Sequence, residues 1–443
     1  MAETNRLLEI TSIIEDDFVL FDVTRRDELI LEPGDEHEKR ILEKMKELIL
    51  PKECGVIISG TLPIYIYAKL FRIYKEEPNK KIKYFACFDP RLGGVIIDRN
   101  GDNMPIKKED IIDIGRIIRL KESQKKESLN FNSVRFQISN GSNKNNGQLK
   151  FKLITEGFTN FQKLDICITG VKIAFAGEEE IIDKLEEVKD FDLNRGVIVS
   201  GRAPIWLYLF IYKYLKKKKI RSIVFDYIAS EPVLIEPENE YWIKKLKDDW
   251  AEYIEQIPII ENQKTIAIFG PPNSGKTVFL FGLINKLRKE NVGCDRIKGC
   301  PDGEGHWTNE ADQKIAYTIR NKGKYNDEFV NKVIRNIKYA KRRKKYLFID
   351  CGGKADDYNR RIAENCTDII IVTNSREDRI LREWYSIIKE PTRVLAEVFS
   401  RKENIINPEV IVDNGIMKFE MLGLERGKEE DLKFPEKFLK IFK

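Results

Sequence analysis

The apolar positions of this chain come in short β-branched runs that alternate with stretches of helical period. From Gly55 the sequence reads GVIISGTLPIYIYAKLFRIY, and from Gly196 it reads GVIVSGRAPIWLYLFIYKYL. Each predicts a buried strand, a Ser-Gly turn and an amphipathic helix. Pro63 or Pro204 stands in the first helical turn, where a missing N–H costs little. A second apolar run follows in both places, KYFACFD ending at Asp89 and RSIVFD ending at Asp226, at nearly the same offset. So ordered a match predicts an internal duplication of strand–helix–strand modules. Phe18–Val23 and Lys150–Ile154 read as the opening strands of the two copies. Between the copies SNGSNKNNGQ, from Ser139 to Gln148, has nothing apolar to bury and reads as a linker or loop tip. A helical stretch over Tyr241–Ile257 closes the second copy.

A third pattern starts near Lys264. An apolar strand, Thr265–Phe269, precedes Gly270-Pro271-Pro272-Asn273-Ser274-Gly275-Lys276-Thr277, and an apolar-periodic helix follows. This is G-x-x-x-x-G-K-S/T in its strand–loop–helix setting, the sign of a phosphate cradle. Gly270 and Gly275 let backbone N–H groups turn inward, and the helix start adds its positive end. Lys276 is expected to neutralise β/γ-phosphate charge and the Thr277 hydroxyl to ligate Mg²⁺. A second buried strand, Tyr346–Ile349, ends in Asp350, the expected partner of the magnesium site, and Gly353 follows in Asp-x-x-Gly. Further strands at Asp368–Asn374 and Thr392–Ser400 alternate with helices, which suits a doubly wound parallel sheet. Arg376 and Arg379 either touch the γ-phosphate or substrate or form a solvated helix start. With no Asn-Lys-x-Asp to read guanine, ATP is expected over GTP. The loop Cys300–Thr308 gathers Asp302, Glu304, His306 and Trp307; it is either a catalytic or substrate-clamping loop or a tight turn around a packed Trp.

The fold class expected is therefore α/β: two small α+β repeat modules, then a P-loop NTPase domain with a mainly parallel, doubly wound sheet. The domains run over residues 1–140, 141–258 and 259–443. Composition changes little in this picture. A 34% charged and 42% hydrophobic chain is ordinary for a soluble protein, and a net charge of +6 admits an anionic ligand without suggesting a genomic DNA binder. Lys216–Lys219 and Lys341–Lys345 are local clusters that could be solvated helix ends as easily as anion sites. Seven scattered cysteines with no C-x-x-C pair suggest neither zinc nor a disulfide framework. The N-terminus lacks the apolar segment of a signal peptide, and no window offers the roughly 18–20 apolar residues of a membrane span. A cytoplasmic location without membrane contact is expected.

GVIISG…P followed by FDPRLGG resembles the small CRISPR-associated ring nucleases of type III systems. These bind and cleave cyclic tetra-adenylate, and one branch carries a C-terminal AAA-type P-loop ATPase. The resemblance covers roughly residues 10–120 and 150–240 and, through the fusion, the third domain. It implies active-site roles for Asp89 and Arg91, and Mn²⁺ as a metal for ring cleavage. It also calls for histidines between the helix and the strand leading to the Asp, and after the next strand. Lys80 and its neighbours and a position near Asn100 stand there instead; the chain's two histidines are His37 and His306. Lysine offers charge but no proton acceptor at neutral pH. The second copy keeps Asp226 but continues Tyr227-Ile228-Ala229-Ser230-Glu231, without the arginine. Conversely it has Ser200-Gly201-Arg202 where the first has Ser59-Gly60-Thr61.

What both copies retain suits binding. The Ser59-Gly60 and Ser200-Gly201 turns, Arg202, Lys80 with Lys81 and Lys83, and Lys218 within its lysine run are expected to surround the phosphates of a cyclic oligoadenylate. Two joined copies match a ligand with rotational symmetry. The expected function is a type III CRISPR-associated protein that binds cyclic oligoadenylate, with or without cleaving it, coupled to ATP binding and hydrolysis. The alternative is an ATP-dependent kinase acting on RNA or a small molecule, with the repeats as regulators. A homo-oligomer is expected in either case.

Overall fold

The structure is a computed structural model that describes residues 8–25, 31–48, 51, 54–60, 62–76, 82–100, 104–123, 148–169, 177–188, 191–226, 231–258, 260–301, 325–375, 377–401, 410–425 and 432–442. The chain divides into two compact units, in the main Met1–Ile168 with Lys172–Gln256, and Ile257–Gln313 with Lys322–Lys443.

The first unit holds both repeats. The first repeat consists of β1 (Leu8–Ile14), β2 (Phe18–Arg25), α1 (Glu36–Glu47), β3 (Gly55–Gly60), α2 (Ile64–Glu76), β4 (Tyr84–Asp89), β5 (Gly93–Arg99), β6 (Ile111–Ile112) and α3 (Ile114–Ser123). Its sheet runs in chain order from β1 to β6, with β2, β3 and β4 parallel and the outer pairs antiparallel. The second repeat consists of β7 (Gln148–Ile154), β8 (Phe161–Thr169), α4 (Glu178–Glu186), β9 (Gly196–Gly201), α5 (Ile205–Lys217), β10 (Ile223–Asp226), β11 (Val233–Glu236) and α6 (Glu240–Gln256). Its sheet runs β11-β10-β9-β8-β7, again with a parallel centre, β8 to β10.

Lys150–Ile154 lies in β7, the first strand of the second repeat, as expected; the strand that pairs with β9, as β2 pairs with β3, is β8, which has no counterpart among the expected strands. Its sequence FQKLDICIT hides the strand because polar residues occupy buried positions. Gln162 is fully buried, satisfied by the backbone of Asp192 in both directions (2.7 and 3.1 Å), and Lys163 pairs with Asp165 at 2.8 Å.

Helices α2 and α5 are apolar on nearly every side, the mark of a helix covered all round. They pack on one another as well as on the sheets, so a single apolar cluster runs through both repeats. Phe71 meets Tyr212 edge-on at 6.0 Å. Each such buried side chain contributes about 1.5–3 kcal/mol. Polar ties reinforce the join: Arg72 donates to the Ile235 carbonyl (2.8 Å), and Lys213 bridges Asp98 (3.2 Å) and Glu178 (2.8 Å).

The second unit is a mixed α/β layer structure with a mainly parallel sheet. It comprises β12 (Lys264–Phe269), α7 (Lys276–Lys289), β13 (Cys294–Gly299), α8 (Asp327–Ala340), β14 (Tyr346–Cys351), α9 (Asp357–Ala363), β15 (Asp368–Thr373), α10 (Asp378–Ser386), β16 (Arg393–Arg401), β17 (Ile411–Asp413), β18 (Ile416–Leu422) and α11 (Glu436–Leu439). The strand order is β13-β14-β12-β15-β16-β18-β17, parallel except for the closing β17–β18 hairpin. Chain order reverses at β12, between β14 and β15, which is where an open α/β sheet makes a crevice beyond its strand ends. Among the described residues no helix is long and apolar enough to cross a membrane.

Candidate functional site

The phosphate cradle is built at that crevice. Gly270 leaves β12 at φ +138°, and a Cβ there would lie 1.8 Å from the Val372 carbonyl oxygen of β15, so only glycine fits. The loop turns again at Asn273 (φ 59°) and at Gly275 (φ +89°), which caps α7 with no side-chain bond. The first amides of α7 are thus left for a ligand, at the positive end of a 14-residue helix. Pro271 and Pro272 stiffen the outer arc. Gly353 lies so close under it that a Cβ would come within 2.8 Å of the Pro272 nitrogen.

The polar groups fit a Mg²⁺-nucleotide. Lys276 folds back so that Nζ donates to the carbonyls of Gly270 (2.9 Å) and Pro271 (2.7 Å), bonds that phosphate oxygens can replace. Ser274 is buried and its hydroxyl has no partner, an orphan inside the cradle. Strands β12 and β14 are nearest neighbours, so Asp350 stands one strand spacing, about 4.8 Å, from the P-loop strand. The Thr277 hydroxyl donates to its carboxylate at 3.2 and 3.4 Å. Thr277 and Asp350 would hold the magnesium ion, which supplies charge neutralisation at the β/γ-phosphates when bound. Two further residues brace the site. Arg296 of β13 lies 3.0 Å from Asp350. The Tyr325 hydroxyl donates to the Gly299 carbonyl (2.8 Å) and accepts from the Gly352 N–H (2.9 Å), clipping the turn after Asp350 to the end of β13.

In the first unit the two Ser-Gly turns share one device. Gly60 and Gly201 end β3 and β9 at φ +139° and +133°, with the carbonyls of Val23 and Ile166 where a Cβ would go. Tyr67 and Tyr208 donate to the Gly60 and Gly201 carbonyls at 2.9 and 2.5 Å. Burial, with Cys87, Asp22 and Asp89 nearby, pushes the Tyr67 hydroxyl well above its ordinary value, so it remains a donor.

The serines then diverge. Ser59 accepts from the buried Lys121 of α3 (2.8 Å), which also pairs with Asp22 of β2, whereas Ser200 donates to Asp226 at 2.6 Å. Asp89 is gripped by Arg91, with Nε at 3.0 Å, Nη2 at 2.7 Å and the backbone N–H at 2.9 Å. Burial alone would raise the Asp89 pKa; the Arg91 charge and hydrogen bonds bring it below the ordinary value, with the Trp206 indole nearby. Trp206 belongs to α5, so the second repeat reaches the carboxylate of the first. Arg202 follows Gly201, half-buried at the same turn.

Not every expected residue joins this region. Lys218 caps the far end of α5, about 20 Å along the helix from Pro204 at 1.5 Å per residue. It pairs there with Glu186 at 2.9 Å, and Lys216 pairs with Glu236 at 2.9 Å. The lysine run is a paired helix end, and Lys218 cannot share a ligand site with Ser200. Lys80, Thr61, Arg376, most of the Ser139–Gln148 linker and the Asp302, Glu304, His306 and Trp307 loop lie outside the described residues.

Residues 33–105 and 177–235 match the family Cas_csx3, described as a CRISPR-associated protein. These two segments fall one in each repeat and carry Asp89, Arg91 and Trp206. The chain is similar in both repeats to a CRISPR-associated family, over well under half of its length. Among solved structures it is similar to the septum site-determining protein MinD complexed with Mg-ADP from Pyrococcus horikoshii (17% identity, TM-score 0.25), with 31% of this chain and 70% of that one covered. A ParA family ATPase from Chlorobium tepidum follows at 14% identity and TM-score 0.23, covering 33% and 76%. The signal recognition particle receptor FtsY from Elizabethkingia anophelis, in complex with GDP, stands at 10% and 0.28, covering 52% and 77%. At TM-scores this low the nucleotide site is read from its own residues.

Sequence reading missed Asp22, Lys121, Trp206, Arg296 and Tyr325. Asp22 and Lys121 look like surface charges on amphipathic elements, and Trp206 looks like core. Arg296 looks like one more surface charge, because β13 reads CDRIKG with Asp295 and Lys298 beside it.

Proposed function

We propose that this chain is a CRISPR-associated nucleotide sensor. Its tandem repeats bind a cyclic oligoadenylate, cyclic tetra-adenylate by the resemblance, and its second unit binds and hydrolyses ATP with Mg²⁺ under the control of that ligand. The observation that carries the first half is the Asp89–Arg91 pair held against Trp206 of the other repeat. Two copies of one module contribute to one polar site beside two Ser-Gly turns, an arrangement suited to a ring with rotational symmetry. The second half is supported by the cradle, with Lys276 on exchangeable carbonyl bonds and Thr277 against Asp350.

Ring cleavage is the weaker activity in this reading. Asp89 is ionised and saturated by Arg91, which makes it an anchor rather than a proton acceptor, and the described residues around it contribute no histidine. Slow cleavage with Mn²⁺ would run through Asp89 and Arg91, and Asp89→Ala would abolish it. Isothermal calorimetry of cyclic tetra-adenylate against the wild type and a Trp206→Ala variant tests the binding site. The proposal expects heat for the first and at least about tenfold weaker binding for the second. No heat for the wild type would end it.

A further inference from the structure

Arg296 lies in β13 two residues before Lys298, which pairs with Asp350 across β13 and β14. With the period of two along a strand, its side chain stands on the same face of the sheet as Asp350. Nη2 is 3.0 Å from Asp350 Oδ2, and each side chain keeps only 2% exposure. Nη1 is buried without a partner. The same carboxylate oxygen accepts from Thr277 at 3.2 Å. An ion pair this deep is poor value as mere packing, since two apolar side chains of similar volume usually serve stability as well or better. Its place explains it: it sits on the carboxylate that faces the phosphate cradle.

We propose that Arg296 is the resident counter-ion of Asp350, a positioning residue that neutralises the carboxylate and holds it toward Thr277 whenever no divalent cation is bound. This rests on the nucleotide-site reading above. A bare carboxylate beside the cradle would repel incoming phosphates. With Arg296 in place the nucleotide enters even before a cation does, and Asp350 is already oriented. The unpartnered Nη1 gives the guanidinium a spare donor, so it can keep one hydrogen bond while yielding another.

The test is a titration of full-length protein with a fluorescent N-methylanthraniloyl-ADP, once in Mg²⁺ and once in EDTA, for the wild type, Arg296→Gln, Arg296→Lys and Arg296→Gln/Asp350→Asn. The quantity read is the ratio of the two affinities. Arg296→Gln is expected to raise that ratio at least about tenfold, equivalent to about 1.4 kcal/mol, through weaker binding in EDTA. Arg296→Lys, which restores the charge, should stay within about threefold of the wild type. The charge-neutral double variant should bind in EDTA as the wild type does, and it carries the test if Arg296→Gln does not fold. An unchanged ratio in Arg296→Gln, a Lys variant as displaced as the Gln variant, or a double variant that has lost binding in EDTA would overturn the assignment. Wild type that binds the analogue in neither buffer would instead sink the nucleotide site, and the assignment with it.

Discussion

Lys69→Met probes whether the two repeats stand or fall together. Lys69, in α2, is 4% exposed; it pairs with Glu38 of α1, 3% exposed, and with Glu238 just past β11 in the other repeat. Methionine keeps most of the stem and removes the charge. Glu38 is then stranded in the core, its Oε2 still accepting from the Gly34 N–H at 2.8 Å. Removing one partner of a buried pair costs about 3–5 kcal/mol, while the more exposed Glu238 contact adds no more than about 1 kcal/mol. At about 2–4 °C per kcal/mol for a body of this size, the first unit should melt roughly 6–20 °C lower. Chemical denaturation followed by tryptophan fluorescence and far-UV circular dichroism reads it out. Of the five tryptophans, Trp206, Trp242 and Trp250 lie in the second repeat, Trp307 and Trp384 lie in the second unit, and the first repeat has none. The second repeat's transition is read with Trp307→Phe and Trp384→Phe in every protein compared. A lesion in the first repeat should therefore move the second repeat's own signal to lower denaturant. Adding Glu38→Gln should recover most of the loss, because the stranded carboxylate goes with it. A cost below about 1 kcal/mol, or a tryptophan transition that stays put while the dichroism moves, would refute a shared core.

Lys276→Ala removes the group that trades two loop carbonyls for phosphate, so nucleotide affinity should fall about ten- to a thousandfold in equilibrium titration, from charge-assisted bonds of about 1.5–3 kcal/mol each. Lys218→Ala should leave cyclic tetra-adenylate binding unchanged by calorimetry, since Lys218 sits at the far end of α5, whereas Arg202→Ala should weaken it. Asp89, whose pKa is depressed in the fold, contributes stability above its unfolded value near 3.9 and loses it as pH falls through the lower folded value. Asp89→Asn should therefore cost stability in denaturant titrations at pH 7 and converge with the wild type once the pH falls below the lowered folded value.

The elements legible in the sequence were those whose pattern is local. β3, α2 and β4, and their counterparts β9, α5 and β10, follow from β-branched runs, a glycine turn and a proline. The cradle from Gly270 to Thr277 follows from backbone needs that only that spacing meets. What escaped depends on partners distant in the chain. β8 has buried Gln162, satisfied by the backbone of Asp192, and buried Lys163, which donates to the Tyr253 hydroxyl of α6 at 3.3 Å. Lys121 reaches Ser59 and Asp22 across 62 and 99 residues. Arg296 meets Asp350 only because β13 lies beside β14. The lysine run at Lys216–Lys219 misled for the same reason, because its partners Glu186 and Glu236 lie on other elements. Trp206 carries no polar signature in sequence, yet it joins the two repeats at Asp89.

The central claim is that a ring ligand on the repeats governs the phosphate cradle. Phosphate release from ATP, measured with and without cyclic tetra-adenylate and with Lys276→Ala as the blank, tests it most directly. The account predicts a Lys276-dependent rate that changes at least about threefold when the ring is added, with most of the ring recovered intact. An ATP turnover that is the same with and without the ring would contradict it.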